Sequence, residues 1–329
     1  MPRISVVMNV YNGAETVREA LDSVLGQSFT DWELIFWDDQ STDGSASVLR
    51  GYTDQRIRYF LSSEFTSLGR AREQAIHQAA GEWLAFLDQD DIWLSNKLRD
   101  QIALADDPAV GLIYGRTVRF QAYGGDRDYD HRHEFQPLPE GDLFDKLIVD
   151  ACFICMSSAM LRRTFALEAG PIPDTIQMTP DYFLFLTIAR RSRVRVVQEV
   201  VCRYRWHEGN MSRAVLCRIQ EEIIWLVDQW SESLDPALAD RRRRVHSTVW
   251  AVQEMRNGKT FRLGLARLLR NGSLRYLVSR PFAIAYRSLR RKVCRPTWKE
   301  TQPGLRIAPF SSTRNCDTAS GDTDELRRQ

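Results

Sequence analysis

The chain has 329 residues, 43% of them hydrophobic and 27% charged, with a net charge of +2. That apolar fraction fills a globular core, and the length predicts one main domain followed by a separate C-terminal part. No window reaches about eighteen uninterrupted apolar residues, which argues against a membrane-spanning helix. Met1 leads straight into an apolar strand with no basic leader, so the sequence predicts a cytoplasmic rather than a secreted chain.

The first third alternates strands and helices. Ile4-Ser5-Val6-Val7-Met8-Asn9-Val10 is a nearly continuous apolar run, as expected of a parallel strand covered on both faces. Val17, Ala20, Leu21, Val24 and Leu25 then recur at helical spacing, and Glu33 to Trp37 reads as a second strand. A turn over 38–43, a helix over 44–52, a strand over 56–61, a helix over 69–80 and a strand over 83–87 continue the alternation. This order predicts an α/β fold with a doubly wound, mostly parallel sheet. A further strand is predicted over 110–115, and residues 122–137 read as a mobile loop. Then come a helix over 142–149, a strand over 158–161, a helix over 180–190 and a strand over 194–202.

From residue 215 onward the pattern is helical, with segments over 215–230, 236–256, 260–270 and 273–292, and the tail from Pro296 reads as disordered. This helical part is strongly basic: Arg241 to Arg244, Arg262, Arg267, Arg270 and Arg275 lie among Leu263, Leu265, Leu268 and Leu269. Two readings stand side by side, a basic amphipathic surface on an anionic membrane and a solvated basic face whose apolar side packs on the main domain. Nucleic acid is not an expected partner, since the charge comes with no supporting motif. Of the six cysteines, Cys152, Cys155, Cys202, Cys217, Cys294 and Cys316, only the first two form a close pair. A lone C-x-x-C is weak support for zinc, and free thiols are the default.

The segment Leu87-Asp88-Gln89-Asp90-Asp91 sets three carboxylates within four positions directly after a predicted strand. In an open α/β sheet that is the carboxyl edge, where ligands bind. Hard divalent cations favour carboxylate oxygens, and Mg²⁺ takes one or two of them together with substrate phosphates. The competing reading is that Asp90 or Asp91 caps a helix starting near Leu94. Asp38-Asp39-Gln40-Ser41-Thr42-Asp43-Gly44 follows the second strand in the same way. An Asp there can accept a hydrogen bond from a nucleobase or ribose, while an Asx turn into a helix capped by Thr42 or Asp43 explains the same residues structurally.

Taken in order, Val6 to Gly13, Leu21 to Ser28, Glu33-Leu34 with Asp38 to Gly44, Ala80 to Asp91 and Tyr204-Arg205-Trp206-His207 resemble the motifs of family 2 glycosyltransferases. The resemblance spans residues 3 to about 212. It implies a GT-A fold over 1–213, with a nucleotide-binding half over 1–116 and an acceptor half over 117–213, ahead of a basic helical region over 214–295 and the tail over 296–329. It also implies a nucleoside-diphosphate sugar donor, Mg²⁺ or Mn²⁺, and inversion at the anomeric carbon; the expected acceptor is a glycan or a lipid-linked one, the latter suited to contact of the basic helices with a membrane. Asn9, Tyr11 and Glu15 match the first nucleotide-facing loop, Asp39 the base contact and Arg72 a donor-side arginine. Asp88 and Asp90 match the outer residues of the D-x-D motif, with Asp90 the preferred metal ligand, Asp88 supporting the donor, and His207 near metal and diphosphate.

For the general base the resemblance singles out Asp181 in Thr179-Pro180-Asp181. As an ordinary helix start, Thr179 at the N-cap, Pro180 at N1 and Asp181 at N2 need no catalytic role, and the helix dipole is expected to lower the Asp181 pKa. The chain departs from the family at Asn9 where Pro is common, at Gln40 where Gly is common, at Glu73 where Asn is common and at Pro180 where an acid is common. Two other readings stay open: a nucleotide-sugar-binding scaffold that has lost its base, and a nucleotidyltransferase. The second would ordinarily bring a glycine-rich loop after the first strand, where Val10 to Ala14 offers only Gly13.

Overall fold

A computed structural model of the chain describes residues 1–121, 129–130, 137–150, 152–207, 210, 216–256 and 261–270. All belong to one unit, Met1–Ala283, while the second unit, Ile284–Gln329, lies outside the described residues. So do the expected helix over 273–292, the tail, Cys294 and Cys316, and most of the 122–137 loop.

The first strand, β1 (Ile4–Val10), divides its side chains between two cores, as the period of two requires. Ile4, Val6, Met8 and Val10 pack with Val17, Ala20, Leu21 and Val24 of α1 (Val17–Leu25), whereas Val7 faces the other way, toward Ala71 and Ala75. The latter pair belongs to α3 (Leu68–Gln78). Each buried Leu, Ile or Val of this kind contributes about 1.5–3 kcal/mol, so two facing helices hold the strand more firmly than its own hydrogen bonds do. β2 (Trp32–Asp38), α2 (Ser45–Leu49), β3 (Ile57–Leu61) and β4 (Trp83–Phe86) complete the alternating part.

Next come β5 (Ile92–Trp93), α4 (Lys97–Ile102), β6 (Val110–Gln121), β7 (Tyr129–Asp130), α5 (Phe144–Asp150), β8 (Met160–Arg162), α6 (Arg163–Glu168), α7 (Pro180–Ala189) and β9 (Arg193–Trp206). The strands form one sheet in the order β3-β2-β1-β4-β8-β6-β9-β5, with β7 paired to β6. β3, β2, β1 and β4 are mutually parallel, β8 runs antiparallel to β4 and β6, and β9 is parallel to β6. The sheet is thus mostly parallel with helices on both faces, the GT-A type of α/β fold. Its register opposes Val10 to Asp38 and Val7 to Phe86, so the carboxyl ends of β1, β2 and β4 emerge side by side.

β9 outruns its predicted end. Its last residues look polar in sequence, but Arg203 and Arg205 lie over the Phe120 ring at 4.5 and 4.6 Å, and Arg119 lies over Trp206 at 3.9 Å. Cation–π stacking of this kind lets arginines sit in a paired strand without losing their charge. Tyr204 to Trp206 are therefore strand, and only His207 begins the loop.

At the opposite end of the strands Gly81 is required by close approach, since a Cβ there would stand 2.5 Å from the Ser5 nitrogen. Beside it the Glu33 carboxylate accepts hydrogen bonds from Ser5 Oγ (2.6 Å), Arg58 Nη1 (2.7 Å) and the Ala80 N–H (2.7 Å). Three helices follow the sheet, α8 (Leu216–Gln229), α9 (Pro236–Arg256) and α10 (Phe261–Arg270). Ile223, Leu226 and Val227 of α8 enter the same core as α7. Part of the basic charge is spent internally: Arg242 is buried, Arg243 pairs with Asp228, Arg244 with Asp240, and Arg267 with Glu254. Leu263 and Leu265 of α10 remain exposed.

Candidate active site

The carboxyl ends of β1 and β2 are knitted by side chain to main chain bonds. Asp38 Oδ1 accepts the Ser41 N–H at 2.8 Å, the Asx turn expected from sequence. The α2 cap differs from expectation: Gly44 holds the N-cap position, and the Asp43 carboxylate accepts the Ser45 and Ala14 N–H groups, both at 2.9 Å. Asn12 takes a φ of 50° and accepts the Thr42 N–H at 2.8 Å. Gln40 takes a φ of 66° and donates to the Ser62 carbonyl, so this β2 loop adopts a left-handed turn with a side chain where glycine would be unstrained.

Asp39 is buried and accepts from Thr66 N (3.1 Å) and Oγ1 (3.2 Å). Burial raises its pKa, and the Thr66 bonds oppose that. Next to it the Tyr11 and Phe65 rings meet with centroids 4.5 Å apart. Gln89, the middle residue of the Asp88–Asp90 triplet, accepts the Tyr11 N–H at 2.8 Å and donates to the Tyr11 carbonyl at 3.0 Å. Gly13 leaves room for it, because a Cβ would stand 2.5 Å from the Gln89 amide.

The acids divide into two pairs. Asp88 meets Arg72 of α3 at 2.9 Å, and the guanidinium is only 4% exposed. Burial raises the Asp88 pKa, Arg72 opposes this, and the Asp90 charge adds to it. Asp90 Oδ2 lies 2.8 Å from His207 Nε2. Arg205 braces that second pair, donating from Nε to the Asp90 carbonyl (2.7 Å) and from Nη2 to Glu19 (3.0 Å). Asn210 then holds the turn, accepting the His207 N–H at 2.7 Å and donating to the Arg205 carbonyl at 3.1 Å.

Asp91 is no helix cap, nor is Asp90. The chain after Asp91 continues as β5, which pairs with β9, and α4 starts only at Lys97 with Asn96 before it. Asp91 is instead fully buried, accepting from Ser157 Oγ and from the Arg205 N–H at 2.9 Å. Burial pushes its carboxyl well above the ordinary range, with the Cys155, Asp90 and Asp88 charges adding to the shift. Behind it Lys97, also fully buried, lies over the Trp93 ring and is brought down to about 7 by burial. Cys152, Cys155 and Cys202 are free thiols.

Asp181 lies at the start of α7, and its Oδ1 accepts the Tyr182 N–H at 2.8 Å. The expectation of a lowered pKa is overturned: burial raises it, the Asp88 charge contributes in the same sense, and Arg72 and the Tyr182 bond only partly oppose them. Desolvation outweighs the helix dipole at this position. The charges of Arg72 and Asp88 both reach Asp181.

Asn9 lies opposite Trp37 in the β1–β2 register, with a buried Nδ2 that finds no acceptor. Glu15 is exposed on the turn before α1. Gln89, Arg205, Asn210 and Ser157 were not singled out from sequence. As a seat for a divalent cation, Asp90 and His207 offer one carboxylate oxygen and one imidazole nitrogen, a donor set that fits Mn²⁺ and gives Mg²⁺ an oxygen ligand. Among the described residues no three His, Cys, Asp or Glu side chains group closely enough to hold a metal unaided. A cation on this pair would complete its shell with phosphate oxygens and water.

The family model described as Glycosyl transferase family 2 matches residues 5–169. TuaG of Bacillus subtilis (strain 168), named provisionally as a teichuronic acid biosynthesis glycosyltransferase, is 39% identical over 216 residues, 64% of this chain and 82% of the relative. WfgD of Escherichia coli, a UDP-Glc:alpha-D-GlcNAc-diphosphoundecaprenol beta-1,3-glucosyltransferase, is 28% identical over 213 residues, 64% of this chain and 79% of that one. The crystal structure of S. aureus TarS 1-349 in complex with UDP-GlcNAc shares the fold at a TM-score of 0.59 and 18% identity, covering 78% of this chain and 74% of TarS. The mannosyltransferase PcManGT from Pyrobaculum calidifontis, in complex with GDP-Man and Mn²⁺, also gives 0.59 and 18%, covering 88% and 84%.

Proposed function

We propose, for a chain that belongs to glycosyl transferase family 2, that it moves a sugar from a nucleoside-diphosphate sugar to an acceptor hydroxyl, with inversion, in cell-surface or extracellular polysaccharide synthesis. The observation that supports this reading is the pairing of Asp88 with Arg72 and of Asp90 with His207 at the carboxyl edge of the sheet, with the Arg72 and Asp88 charges reaching Asp181. The Asp181 carboxylate takes the proton of the acceptor hydroxyl as that oxygen bonds to the anomeric carbon. The bond from that carbon to the diphosphate breaks on the opposite face, and its electron pair leaves with the diphosphate. A raised pKa suits Asp181 to this work, because the conjugate base of a weaker acid holds an abstracted proton more firmly.

Asn9, Tyr11, Glu15 and Asp39 receive the nucleotide, and Arg72 with Asp88 orients the donor. Asp90 and His207, with Asp88 behind them, would hold Mg²⁺ or Mn²⁺, which supplies positive charge to the departing diphosphate. The inferred acceptor is a glycan or lipid-linked sugar, which the name of the Escherichia coli relative supports. The inferred location is cytoplasmic, at the inner face of an anionic membrane. The basic α9 and α10 and exposed Leu263 and Leu265 support that, and no described helix is long and apolar enough to cross a membrane.

A panel of UDP- and GDP-sugars with Mn²⁺ tests the reading. The expected result is release of free nucleoside diphosphate, abolished by Asp90→Ala. Release of pyrophosphate would make the chain a nucleotidyltransferase, and binding without turnover would leave a scaffold.

A further inference from the structure

Glu222 lies on α8, beyond every motif that marks the site, yet its carboxylate is fully buried against the loop ahead of α7. It accepts the Gln177 N–H (3.0 Å), the Met178 N–H (2.9 Å to Oε2 and 3.1 Å to Oε1), the Thr179 N–H (2.9 Å) and the Thr179 hydroxyl (2.9 Å). Arg218, one turn earlier, donates to it at 3.2 Å and toward the Thr175 carbonyl at 3.4 Å. A buried carboxylate is costly unless its lone pairs are filled, and this one is filled by three successive main-chain N–H groups, a hydroxyl and a guanidinium.

The helix that starts here makes no cap of its own. Thr179 occupies the N-cap position, but its hydroxyl donates to Glu222 rather than accepting from the first turn. Between Thr179 and Asp181 stands one residue, Pro180, whose ring fixes φ and which is buried. Its Cβ lies 3.4 Å from where a Cβ on Gly69 would stand, on the turn of α3 that precedes Arg72. The path from Glu222 to the Asp181 carboxylate is therefore a clamp, a rigid link and the side chain itself.

We infer that Glu222 is the positioning residue for Asp181, clamping Gln177 to Thr179 so that the rigid Thr179–Pro180 link fixes the start of α7, and with it the Asp181 carboxylate, against the turn of α3 that precedes Arg72. This rests on the reading of Asp181 as the base. It also gives a physical use to Pro180, the departure from the family pattern: a proline transmits the clamp where a freer residue would not.

The test uses the full chain and four variants, Glu222→Gln, Thr179→Val, Thr179→Ser and Asp181→Asn. The Asp181 carboxyl is titrated by carbon-13 NMR, its signal assigned by its loss in Asp181→Asn. Rates are taken with UDP-glucose and with GDP-mannose, using a synthetic lipid-diphosphate-linked N-acetylglucosamine as acceptor. In Glu222→Gln and Thr179→Val the titration of Asp181 is expected to fall toward the ordinary carboxylate range as the helix start opens to water. kcat is expected to fall by about ten- to a hundredfold, the usual result of misplacing a reacting group by about 1 Å, with donor Kd unchanged. Thr179→Ser keeps the hydroxyl and is expected to restore both readings.

An unchanged Asp181 titration in both Glu222→Gln and Thr179→Val overturns the inference, as does a loss of kcat matched by an equal loss of donor affinity. If Glu222→Gln does not fold, Thr179→Val against Thr179→Ser decides by the same readings, and the titration decides where neither donor turns over. An Asp181→Asn variant with the parental rate sinks the reading of Asp181 as the base, whatever the Glu222 variants do.

Discussion

The two sides of the candidate site are built by different means. At the carboxyl ends of β1, β2 and β4 three parallel strands deliver their loops edge to edge, and neighbouring loops bind one another through short polar side chains such as Asp38, Asp43 and Asn12. Around Asp181 and His207 a single helix start is held in place by α8, and the end of β9 by reaches across the sheet. A loop placed by its own strand tolerates local change, whereas a side chain placed by a distant partner depends on that partner. The first side is thus set by topology and the second by particular residues.

Asp181→Asn should give the largest effect, lowering kcat by about 10²–10⁴-fold with little change in donor affinity. The same variant should melt higher than the parent at neutral pH. Since the folded-state pKa of Asp181 is raised, the folded chain still holds the proton at pH values where the unfolded chain has released it. That contribution to stability is lost as pH climbs from the ordinary carboxylate range through the raised value, and asparagine removes the loss. Thermal melts of both proteins across that window check the sign; a variant that melts lower at neutral pH would mean that Asp181 is stabilised as an anion after all.

Next in size is Arg205→Met, which removes the donors to the Asp90 carbonyl and to Glu19 while keeping an apolar stem over Phe120. Loosening Asp90 and His207 should cost about a hundredfold in kcat, in line with misplacement at a reacting centre. A parental rate would show that the strand pairing of β9 alone suffices, and the contrast between the two sides would collapse. Gln89→Leu removes two hydrogen bonds worth about 0.5–1.5 kcal/mol each, and should weaken donor binding about tenfold as read by calorimetry. Gln40→Gly should do least. It relieves the left-handed φ, loses the Ser62 bond and gains chain entropy, so urea melts should place it within about 1 kcal/mol of the parent.

The same contrast explains what could be read in the sequence. The alternation of β1 to β4 and the helical stretches over α8 and α10 follow from periodicities within a window of a few turns, and strand ends then point to Asp39, Asp88 and Asp90. Arg205, Gln89 and Glu222 are polar residues in polar surroundings whose partners stand 115, 78 and 43 residues away. Arg205 and Gln89 fall within the motifs and Glu222 outside them, but nothing local names the partner of any of the three. Asp91 misleads for a related reason: a carboxylate followed by a short apolar run resembles a cap, and only the pairing of β5 with β9 turns it inward. The Asp181 pKa went the wrong way because a dipole can be read from a helix start, while desolvation depends on what covers it.

Gln89 sits at the position of the acidic triplet that the motif leaves unspecified, yet its amide meets Tyr11 with one donor and one acceptor, as a neighbouring strand residue would. A primary amide thus imitates a peptide unit and splices two loops that the sheet leaves unjoined. The Tyr11 ring and the Asp88 and Asp90 carboxylates then travel as one rigid piece, so that under the proposed function recognition of the nucleotide's head and handling of its charged tail would not drift apart.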